Sequence, residues 1–427
     1  MKEARGRRSI LPLTLISDIR TRRITMKYTP QEIIQYTAEE DVKFIRLAFC
    51  DVYGKQKNIS IMPSELERAF EQGIGFDASA VRGFGNEARS DLMLFPDPDT
   101  LSVLPWRPEH GRVVRMYCSI KKPDGQPFEC DTRSLLVRAV QDAKQQGIEF
   151  SFGSALEFYL FKLDENDNPT TITYDNAGYM DIAPEDKGEN IRRQICLHLE
   201  QMGITPESSH HEEGPGQNKI DFHYADPLTA ADDVMSYKTV VKTVAHSNGL
   251  YANFSPKPLK DKPGNAFHIN ISVNSDKHHT MLPSVIAGIM KNIRDISCFL
   301  DPCEASYERL GKFKAPRFIS WSGENRSQLV RIPAAKGEYR RAELRSADPS
   351  ANAYLAYTLL IYAGLDGINN NLYLPPVADF DLFSADESVT KDFDTLPESL
   401  AQAKKLAAES GFVKALLPQR LIDIYCK

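Results

Sequence analysis

The chain has 427 residues, of which 42% are hydrophobic and 26% charged, and its formal net charge is −6. This length is enough for two domains, and the composition is ordinary for a soluble globular protein. The excess of acids argues against nucleic acid or an anionic membrane as the main partner, and no apolar run is long enough to span a bilayer. The seven scattered cysteines contain no CxxC pair, which predicts reduced thiols and a cytoplasmic location.

Residues 1–25 differ from the rest of the chain because they carry six arginines and few acids. They have no long apolar core of the kind that a secretory signal needs. We predict either that Met26 is the natural start or that 1–25 is a disordered basic extension, and a targeting peptide is a further alternative. Just beyond it, Thr29 followed by Pro30 is typical of a helix N-terminus.

Residues 26–130 are predicted to form a mostly β domain. A strand–turn–strand pattern covers 41–62, and a short helix at 64–72 ends before Gly73. A stretch rich in Gly, Asp and Pro follows, which favours loops and short strands. The sequence RVVRMYCSIK at 112–121 predicts a further strand.

Residues 131–427 are predicted to form a larger α+β domain, in which helices cover the outside of an antiparallel sheet. The apolar segment FSFGSALEFYLF predicts its first strand, and residues 378–395 predict a loop. Helical periodicity and end signals occur at 133–146, 189–202, 228–247, 282–299, 350–364 and 398–409. Strand patterns occur at 219–224, 250–254 and 266–273.

The stretch NRSQLVRIPAAKGEYRRAELR at 325–345 holds five arginines in a chain that is net negative. Its two alternating segments predict two β-strands, and on the second strand Arg341, Glu343 and Arg345 would share one face. A guanidinium row with one carboxylate suits a polyphosphate whose charge is shared between arginines and a metal. A solvated cross-strand salt-bridge ladder is the alternative interpretation.

Three acidic or imidazole-bearing positions are candidate metal ligands. Glu157 lies in an apolar strand, where a carboxylate is costly to bury unless a cation or donor meets it, or unless it reaches solvent at the strand end. The HHEE segment at 210–213 precedes a Gly–Pro turn that can present ligands into a cleft, although such loops are also common on surfaces. His268 shares a strand face with Asn270 and Ser272, where a structural role is equally consistent.

Taken in order, these segments resemble glutamine synthetase of the bacterial type I class from about residue 40 to residue 425. The matching motifs are CDVYGK, FDASAVRGF, SDLMLFPDPDT, EFYLF, HHEEGPGQ, FSPKP, FHINIS, SYERL, KAP, NRSQLVRIP and RRAELRSADPSANAYLA. The resemblance implies an N-terminal β-grasp domain at 26–130, a catalytic domain with an antiparallel sheet at 131–427, and homo-oligomeric rings. It also implies ligation of glutamate and ammonium, with ATP as a substrate and Mg²⁺ or Mn²⁺ as cofactor.

The resemblance also implies roles for individual residues. Asp77 matches the aspartate that deprotonates ammonium across a subunit boundary, and Arg326 and Arg341 match arginines that face the transferred phosphate. The other matched residues are Glu207, Asn270, Ser272 and Arg331 for ATP, Gly264, Arg309 and Arg345 for glutamate, Glu157 and Glu212 for one metal ion, and His268 and Glu343 for the other.

The chain departs from the family pattern at several of these positions. Ala155, Lys219 and Lys314 stand where the family has glutamates, while Pro263 and Asn270 replace an asparagine and a histidine. The three glutamate changes make the site five charge units more positive, close to the four charges of two divalent ions. We therefore hypothesise that the lysines partly replace metal charge, and that Lys219 pairs with Glu157 or Glu212. The alternative is that Lys219 swings to solvent.

These departures leave three functional hypotheses. The first is an ATP-dependent glutamate–ammonia ligase that is impaired and holds fewer than two metal ions. The second is a non-catalytic member that binds a ligand or forms mixed rings with an active paralogue. The third is a ligase for a different amine or acid. Phe383 lies where some relatives carry a modified tyrosine, so we expect different regulation. The sequence stops at IDIYCK, so we expect a single ring or a smaller assembly rather than a double ring.

Overall fold

The computed structural model describes residues 28–85, 90–107, 110–275, 281–333 and 341–427. The predicted basic extension at 1–25 lies outside these residues, as does Arg340 of the arginine-rich stretch. Within the described part of the chain, every helix is too short or too polar to cross a membrane. All seven cysteines are free thiols.

The N-terminal part of the chain is a six-stranded sheet flanked by short helices. Its sheet order is β2-β1-β6-β4-β3, with β5 paired to β6, and only the β1–β6 pair is parallel. The elements are α1 (Pro30–Glu39), β1 (Val42–Cys50), β2 (Gln56–Ile61), α2 (Leu66–Glu71), β3 (Ile74–Asp77), β4 (Asp91–Pro96), β5 (Ser102–Val103) and β6 (Arg112–Lys121). Thr29 caps α1, as its sequence predicts, through a capping box with Glu32.

The C-terminal part contains a nine-stranded sheet and most of the helices. The strands are β7 (Ile148–Leu163), β8 (Pro169–Thr173), β9 (Pro206–His211), β10 (Gln217–Ala225), β11 (Leu250–Asn253), β12 (Phe267–Ser275), β13 (Trp321–Ser322), β14 (Val330–Arg331) and β15 (Ala342–Leu344). The helices are α3 (Thr132–Gln145), α4 (Glu189–Gln201), α5 (Pro227–Ser247), α6 (Leu282–Leu300), α7 (Glu304–Arg309), α8 (Ala353–Asn369), α9 (Glu387–Thr390), α10 (Leu400–Glu409), α11 (Gly411–Leu416) and α12 (Gln419–Cys426).

Strand β7 is the centre of this second sheet. The order is β13-β14-β15-β12-β7-β10-β9, and β8 and β11 also pair with β7. All pairs are antiparallel except β13–β14. The register sets Lys219 of β10 opposite Glu157 of β7, and His268 of β12 opposite Ala155. Polar residues from three adjacent strands therefore meet over one region of the sheet.

The helices pack closely enough that two of them require glycine at their crossing. A Cβ on Gly288 of α6 would lie 2.1 Å from the Ala363 carbonyl oxygen, and one on Gly367 of α8 would lie 1.9 Å from the Ser284 carbonyl oxygen. Because atoms cannot approach so closely, the α6–α8 contact depends on the missing side chains. Both helices are mostly buried, and Tyr357 of α8 stacks on Phe152 of β7.

Polar contacts at two places, Arg133 and the Val52 carbonyl, join the part of the chain that forms the N-terminal sheet to the part that forms the nine-stranded sheet. Arg133 is buried, and its guanidinium lies 2.8 Å from Asp97 and 3.0 Å from Asp232. The Val52 carbonyl accepts hydrogen bonds from the Asn352 amide at 3.0 Å and from the Tyr425 hydroxyl at 2.8 Å. The N-terminal sheet is thus held through specific groups by Arg133 of α3, Asn352 at the start of α8 and Tyr425 of α12.

The predicted α+β class with an antiparallel sheet is confirmed. The predicted helices at 133–146, 189–202, 228–247 and 282–299 correspond to α3, α4, α5 and α6 within two residues at each end. The predicted loop at 378–395 is wrong in part, because α9 lies within it. The two strands predicted in the arginine-rich stretch are shorter than expected. Among its described residues, only those of β14 and β15 pair as strands.

Candidate active site

A polar cleft of about 350 Å³ opens over β7, β10, β12 and β15. It is also lined by the loop before β12, by the loop after α7 and by the segment between β9 and β10. Most of the residues that the sequence singled out line this cleft. They are Glu157, Glu207, Glu212, Gly264, His268, Asn270, Arg309, Arg326, Arg331, Arg341, Glu343 and Arg345.

Two of the predicted site residues do not line the cleft. Asp77 is exposed at the end of β3 in the N-terminal sheet, and its carboxylate accepts hydrogen bonds from the Ser79 hydroxyl and amide, which lower its pKa. Ser272 lies on β12, two residues beyond Asn270 on the same strand face, opposite Ser151. Within one chain, therefore, neither residue belongs to the cleft wall.

Glu157 is buried at the base of the cleft. Its Oε2 accepts hydrogen bonds from the Ala266 amide at 2.8 Å and from the Gln217 side chain at 3.3 Å. Burial raises its pKa to about 7, the nearby Glu212 carboxylate adds to this, and Lys219 opposes it. A lysine ammonium and two N–H donors meet this buried carboxylate, so the alternative of a solvent-exposed strand end is wrong. Its role as a metal ligand stays a prediction.

Lys219 lies inside the cleft rather than in solvent. Its Nζ is 3.6 Å from Glu157 Oε1, 3.7 Å from Glu212 Oε1 and 3.2 Å from His268 Nδ1. Burial lowers the pKa of this lysine, but the carboxylates led by Glu157 outweigh that effect and raise it. The ammonium therefore stays charged, and the alternative in which Lys219 swings to solvent is wrong.

Glu343 forms the second charged centre of the cleft. Its carboxylate lies 3.0 Å from Arg345 Nη1, 3.4 Å from Arg331 Nη1 and 3.4 Å from His268 Nδ1. Burial alone would raise its pKa, but Arg345, Lys219 and Arg331 lower it. Burial and the surrounding cations together hold the pKa of His268 well below its usual value, so this imidazole is neutral at pH 7.

The arginine row surrounds this centre. Arg331 lies directly across from Glu343 in the β14–β15 register. Arg326 is exposed at the cleft, and Arg341 lies 4.0 Å from Glu207. The row therefore faces the cleft and is not a solvated ladder on the outer surface.

Gly264 and Arg309 form a tight wall. The Arg309 guanidinium donates to the Ser346 carbonyl at 2.6 Å and is buried. A Cβ on Gly264 would lie 2.3 Å from the Pro256 carbonyl oxygen and 2.9 Å from Arg309 Cγ. Tyr159 donates its hydroxyl to the Pro263 carbonyl at 2.7 Å, which fixes the preceding turn.

Sequence reasoning missed two residues of the cleft. Gln217 donates its amide to Glu157, to the Gly264 carbonyl at 3.1 Å and to Asn265 at 3.3 Å, so it links β7 to the wall. Tyr179 lies at the cleft mouth under the Lys314 ammonium. Gln217 is the last residue of the motif HHEEGPGQ, and its place in that motif is the sequence signal that could have identified it as a site residue.

The described residues include one cluster with the chemistry of a metal site outside the cleft, formed by Asp175, Asp186 and His211. Its groups already have partners. His211 pairs with Asp175 at 2.9 Å, Asp175 also accepts from the Gly216 and Lys187 amides, and Asp186 pairs with Arg192 at 2.5 Å. This cluster is accounted for as a hydrogen-bonded support beneath the segment that carries Glu212.

Comparisons with known proteins cover both parts of the chain. Residues 41–123 match the family model described as the glutamine synthetase beta-grasp domain, and residues 129–427 match the glutamine synthetase catalytic domain. A glutamine synthetase of Clostridium saccharobutylicum is 42% identical over 414 residues, covering 93% of this chain and 94% of the relative. One from Staphylococcus aureus strain Mu50 is 39% identical over 412 residues, covering 93% and 92%.

Solved structures share the same fold. A structure of GmaS in complex with ADP superposes with a TM-score of 0.83 at 25% identity and covers 92% of this chain and 93% of that one. A Plasmodium falciparum glutamine synthetase superposes with a TM-score of 0.81 at 21% identity, covering 94% and 95%, which is a similarity of fold alone.

Proposed function

The chain belongs to the glutamine synthetase family, and we propose that it is an ATP-dependent ligase that joins glutamate to ammonia. The observation that carries the proposal is the convergence of five arginines on one cleft that also holds the Glu157, Glu212 and Glu343 carboxylates. A site for a dicarboxylate and a polyphosphate needs this density of cationic donors.

The reaction requires two transfers. The γ-carboxylate of glutamate is a poor electrophile, so one of its oxygens attacks the terminal phosphorus of ATP and ADP leaves. The nitrogen of ammonia then attacks the carbonyl carbon of the acyl phosphate, and phosphate leaves. We assign Arg326 and Arg341 to the phosphoryl oxygens, because guanidinium groups stabilise charge that develops during phosphoryl transfer.

The remaining cleft residues are assigned to binding. We propose that Gly264, Arg309 and Arg345 hold glutamate, since the tight wall and the two buried guanidinium groups suit a carboxylate. Contacts to ATP are proposed for Glu207, Asn270 and Arg331, which line the cleft. A further contact is proposed for Ser272, which lies outside the cleft wall on the same strand face as Asn270.

Ammonium must lose a proton before it attacks, and we assign that proton to the Asp77 carboxylate. The hydrogen bonds from Ser79 keep this carboxylate ionised. Because Asp77 is exposed and lies outside the cleft of its own chain, we propose that it serves the cleft of a neighbouring copy in a homo-oligomeric ring. A cytoplasmic location is part of the proposal.

Members of this family generally use divalent metals, but the residues present do not fit two such ions. Lys219 contacts Glu157, Glu212 and His268, and Arg345 contacts Glu343, so each proposed ligand set already faces a fixed cation. Ala155 offers no ligand. We propose fewer than two sites for Mg²⁺ or Mn²⁺, and we derive no step through a metal ion.

The position of Lys219 also favours a second candidate, a non-catalytic member that binds a nucleotide or an amino acid. Without a coordinated metal, phosphate oxygens are less well organised for transfer. Such a protein would act through binding, or as a subunit of mixed rings with an active paralogue. A ligase for another amine or acid, suggested by Pro263 and Asn270, is a further variant.

Assays of purified protein test the proposal. Glutamine formation and phosphate release are measured with ATP, glutamate, ammonium and Mg²⁺ or Mn²⁺, and each component is omitted in turn. The proposal expects turnover that needs ATP, glutamate and ammonium together and falls about 100-fold or more in Arg326→Lys, in line with the loss of one preorganised donor. A folded protein without turnover would support the non-catalytic candidate.

A further inference from the structure

Lys219 is held by groups from three separate elements. Glu157 comes from β7, Glu212 from the segment after β9, and His268 from β12. The Nζ lies between 3.2 and 3.7 Å from one atom of each, and the side chain is 12% exposed. The ammonium is therefore within hydrogen-bond distance of the imidazole and within ion-pair distance of the two carboxylates.

The backbone enforces this position. Lys219 is paired with Glu157 on one side and with His210 on the other in the sheet register, so its Cα cannot move away from the cleft without breaking β10. The carboxylates lie at ion-pair distances, and the 3.2 Å contact to His268 Nδ1 is a hydrogen bond. The fixed charge therefore lies between ligand groups that a metal ion would otherwise bridge.

The charge balance of the cleft points the same way. The described lining holds eight lysine and arginine side chains and six carboxylates, an excess of two positive charges. With glutamate at position 219 the cleft would hold seven cationic side chains and seven carboxylates. A polyphosphate would then need an added cation to balance its charge in the cleft. With lysine the cleft attracts a polyphosphate by itself.

We infer that Lys219 takes the place of a divalent cation in this cleft, and that the cleft binds the polyphosphate of a nucleoside triphosphate without one. The inference deepens the proposed function and rests on its assignment of ATP to this cleft. It adds a statement about binding, namely that ATP binds without a metal ion. The affinity for metal-free ATP can be measured whether or not the protein turns over.

Calorimetric titration with ATP, once in EDTA and once in excess Mg²⁺, tests the inference. We expect the Kd of the wild-type protein to change less than about threefold between the two buffers. Lys219→Glu should bind at least about tenfold more weakly in EDTA and recover in Mg²⁺. Lys219→Met, which removes the charge but keeps the chain length, should also weaken binding in EDTA.

Lys312→Glu is the matched control. Lys312 lines the cleft but lies outside the group of Glu157, Glu212 and His268, so the variant has the same charge change in a different place. It should weaken ATP binding equally in both buffers. If Lys312→Glu acquires the same metal dependence as Lys219→Glu, net charge rather than position is responsible, and the inference is wrong.

A second arm measures Mn²⁺ binding without nucleotide. Wild-type protein should bind fewer Mn²⁺ ions than Lys219→Glu. Circular dichroism and native mass spectrometry check that both proteins are folded. Two tight Mn²⁺ sites in the wild type, or tight ATP binding only with Mg²⁺, would overturn the inference. Absence of ATP binding in both buffers would overturn the nucleotide assignment and the polyphosphate inference with it, while the Mn²⁺ arm still judges Lys219 alone.

Discussion

Lys314 and Glu213 form an ion pair across the mouth of the cleft, and the Lys314 ammonium also lies 5.3 Å from the centre of the Tyr179 ring. Their side chains are 54% and 34% exposed, so water screens the pair and it contributes little to stability. The significance of the pair is that the mouth of the cleft carries one charge of each sign.

Removing either partner should therefore change substrate binding in opposite directions. Lys314→Met takes a positive charge from the mouth and should lower the KM for ammonium severalfold, whereas Glu213→Gln should raise it. Steady-state kinetics at low ionic strength measures both effects, and unfolding free energies should change by less than about 1 kcal/mol. Equal changes in the same direction would mean that the contact matters and the charge does not.

Replacing the three departing residues by glutamate should restore metal chemistry. The variant Ala155→Glu, Lys219→Glu, Lys314→Glu replaces two cations and one apolar residue of the cleft by carboxylates, which are preferred oxygen ligands of Mg²⁺. We expect glutamine synthesis that depends on Mg²⁺ or Mn²⁺ and exceeds wild-type activity about tenfold or more. A control with Lys312→Glu in place of Lys314→Glu should gain less. No gain in the folded triple variant would locate the defect elsewhere.

Gly264→Ala should disturb the cleft wall. The new Cβ would overlap the Pro256 carbonyl and Arg309 Cγ, so the chain must shift at a cost of about 1–3 kcal/mol. We expect a higher KM for glutamate and a lower unfolding temperature. Gly411→Ala is the control, since its Cβ meets nothing within 4 Å. A Gly264→Ala protein with unchanged glutamate binding would remove this wall from the proposed glutamate site.

Arg133→Met should destabilise the contact between the N-terminal sheet and the C-terminal part of the chain. It leaves Asp97 and the buried Asp232 without their cation, and breaking such a pair costs about 3–5 kcal/mol. Arg68→Met breaks an exposed pair with Glu65 and should cost less than about 1 kcal/mol. Urea unfolding distinguishes the two, and equal losses would contradict the burial argument.

Stability should depend on the titration of Lys238. Burial, assisted by the nearby Lys242, lowers the pKa of Lys238 to about 8, and its Nζ donates to the Pro349 carbonyl at 2.7 Å. Below that pH both the folded and unfolded states hold the proton. Between about 8 and 10 only the unfolded state holds it, so stability should rise by up to about 1.4 kcal/mol per pH unit.

Lys238→Met lacks this proton and provides the comparison. The unfolding free energy of the wild type minus that of Lys238→Met should increase from pH 7.5 to pH 10. Lys427→Met, which removes an exposed lysine, should show no such trend against the wild type. A flat difference for Lys238→Met would mean that the fold imposes no cost on the charged side chain.

The sequence predicted the elements with strong local signals and missed those without them. The helices α3 to α6 have apolar periodicity and end signals, and they were placed within two residues. Strand β9 was missed because PESSHH has no apolar alternation, and it is a strand only because β10 pairs with it. The long strands expected around Val330 and Leu344 were shorter because only a few of their residues have partners.

The site was predictable by residue type but not by geometry. Charge arithmetic led to the expectation that Lys219 meets Glu157 or Glu212, and the ammonium contacts both. Its bond to His268 was not foreseen, because this depends on the order β10-β7-β12, which no local pattern determines. The role across a subunit boundary that the resemblance gives Asp77 stays a prediction.

The hydrogen bonds to the Val52 carbonyl have a consequence for synthesis on the ribosome. Both donors, Asn352 and Tyr425, are translated 300 and 373 residues after their acceptor. During elongation the turn that carries Val52 therefore has neither donor, although N-terminal domains generally fold first. The N-terminal sheet can form early, but its nascent surface stays incomplete until α8 and α12 emerge. The docking of these late helices then completes the contact between the two parts of the chain.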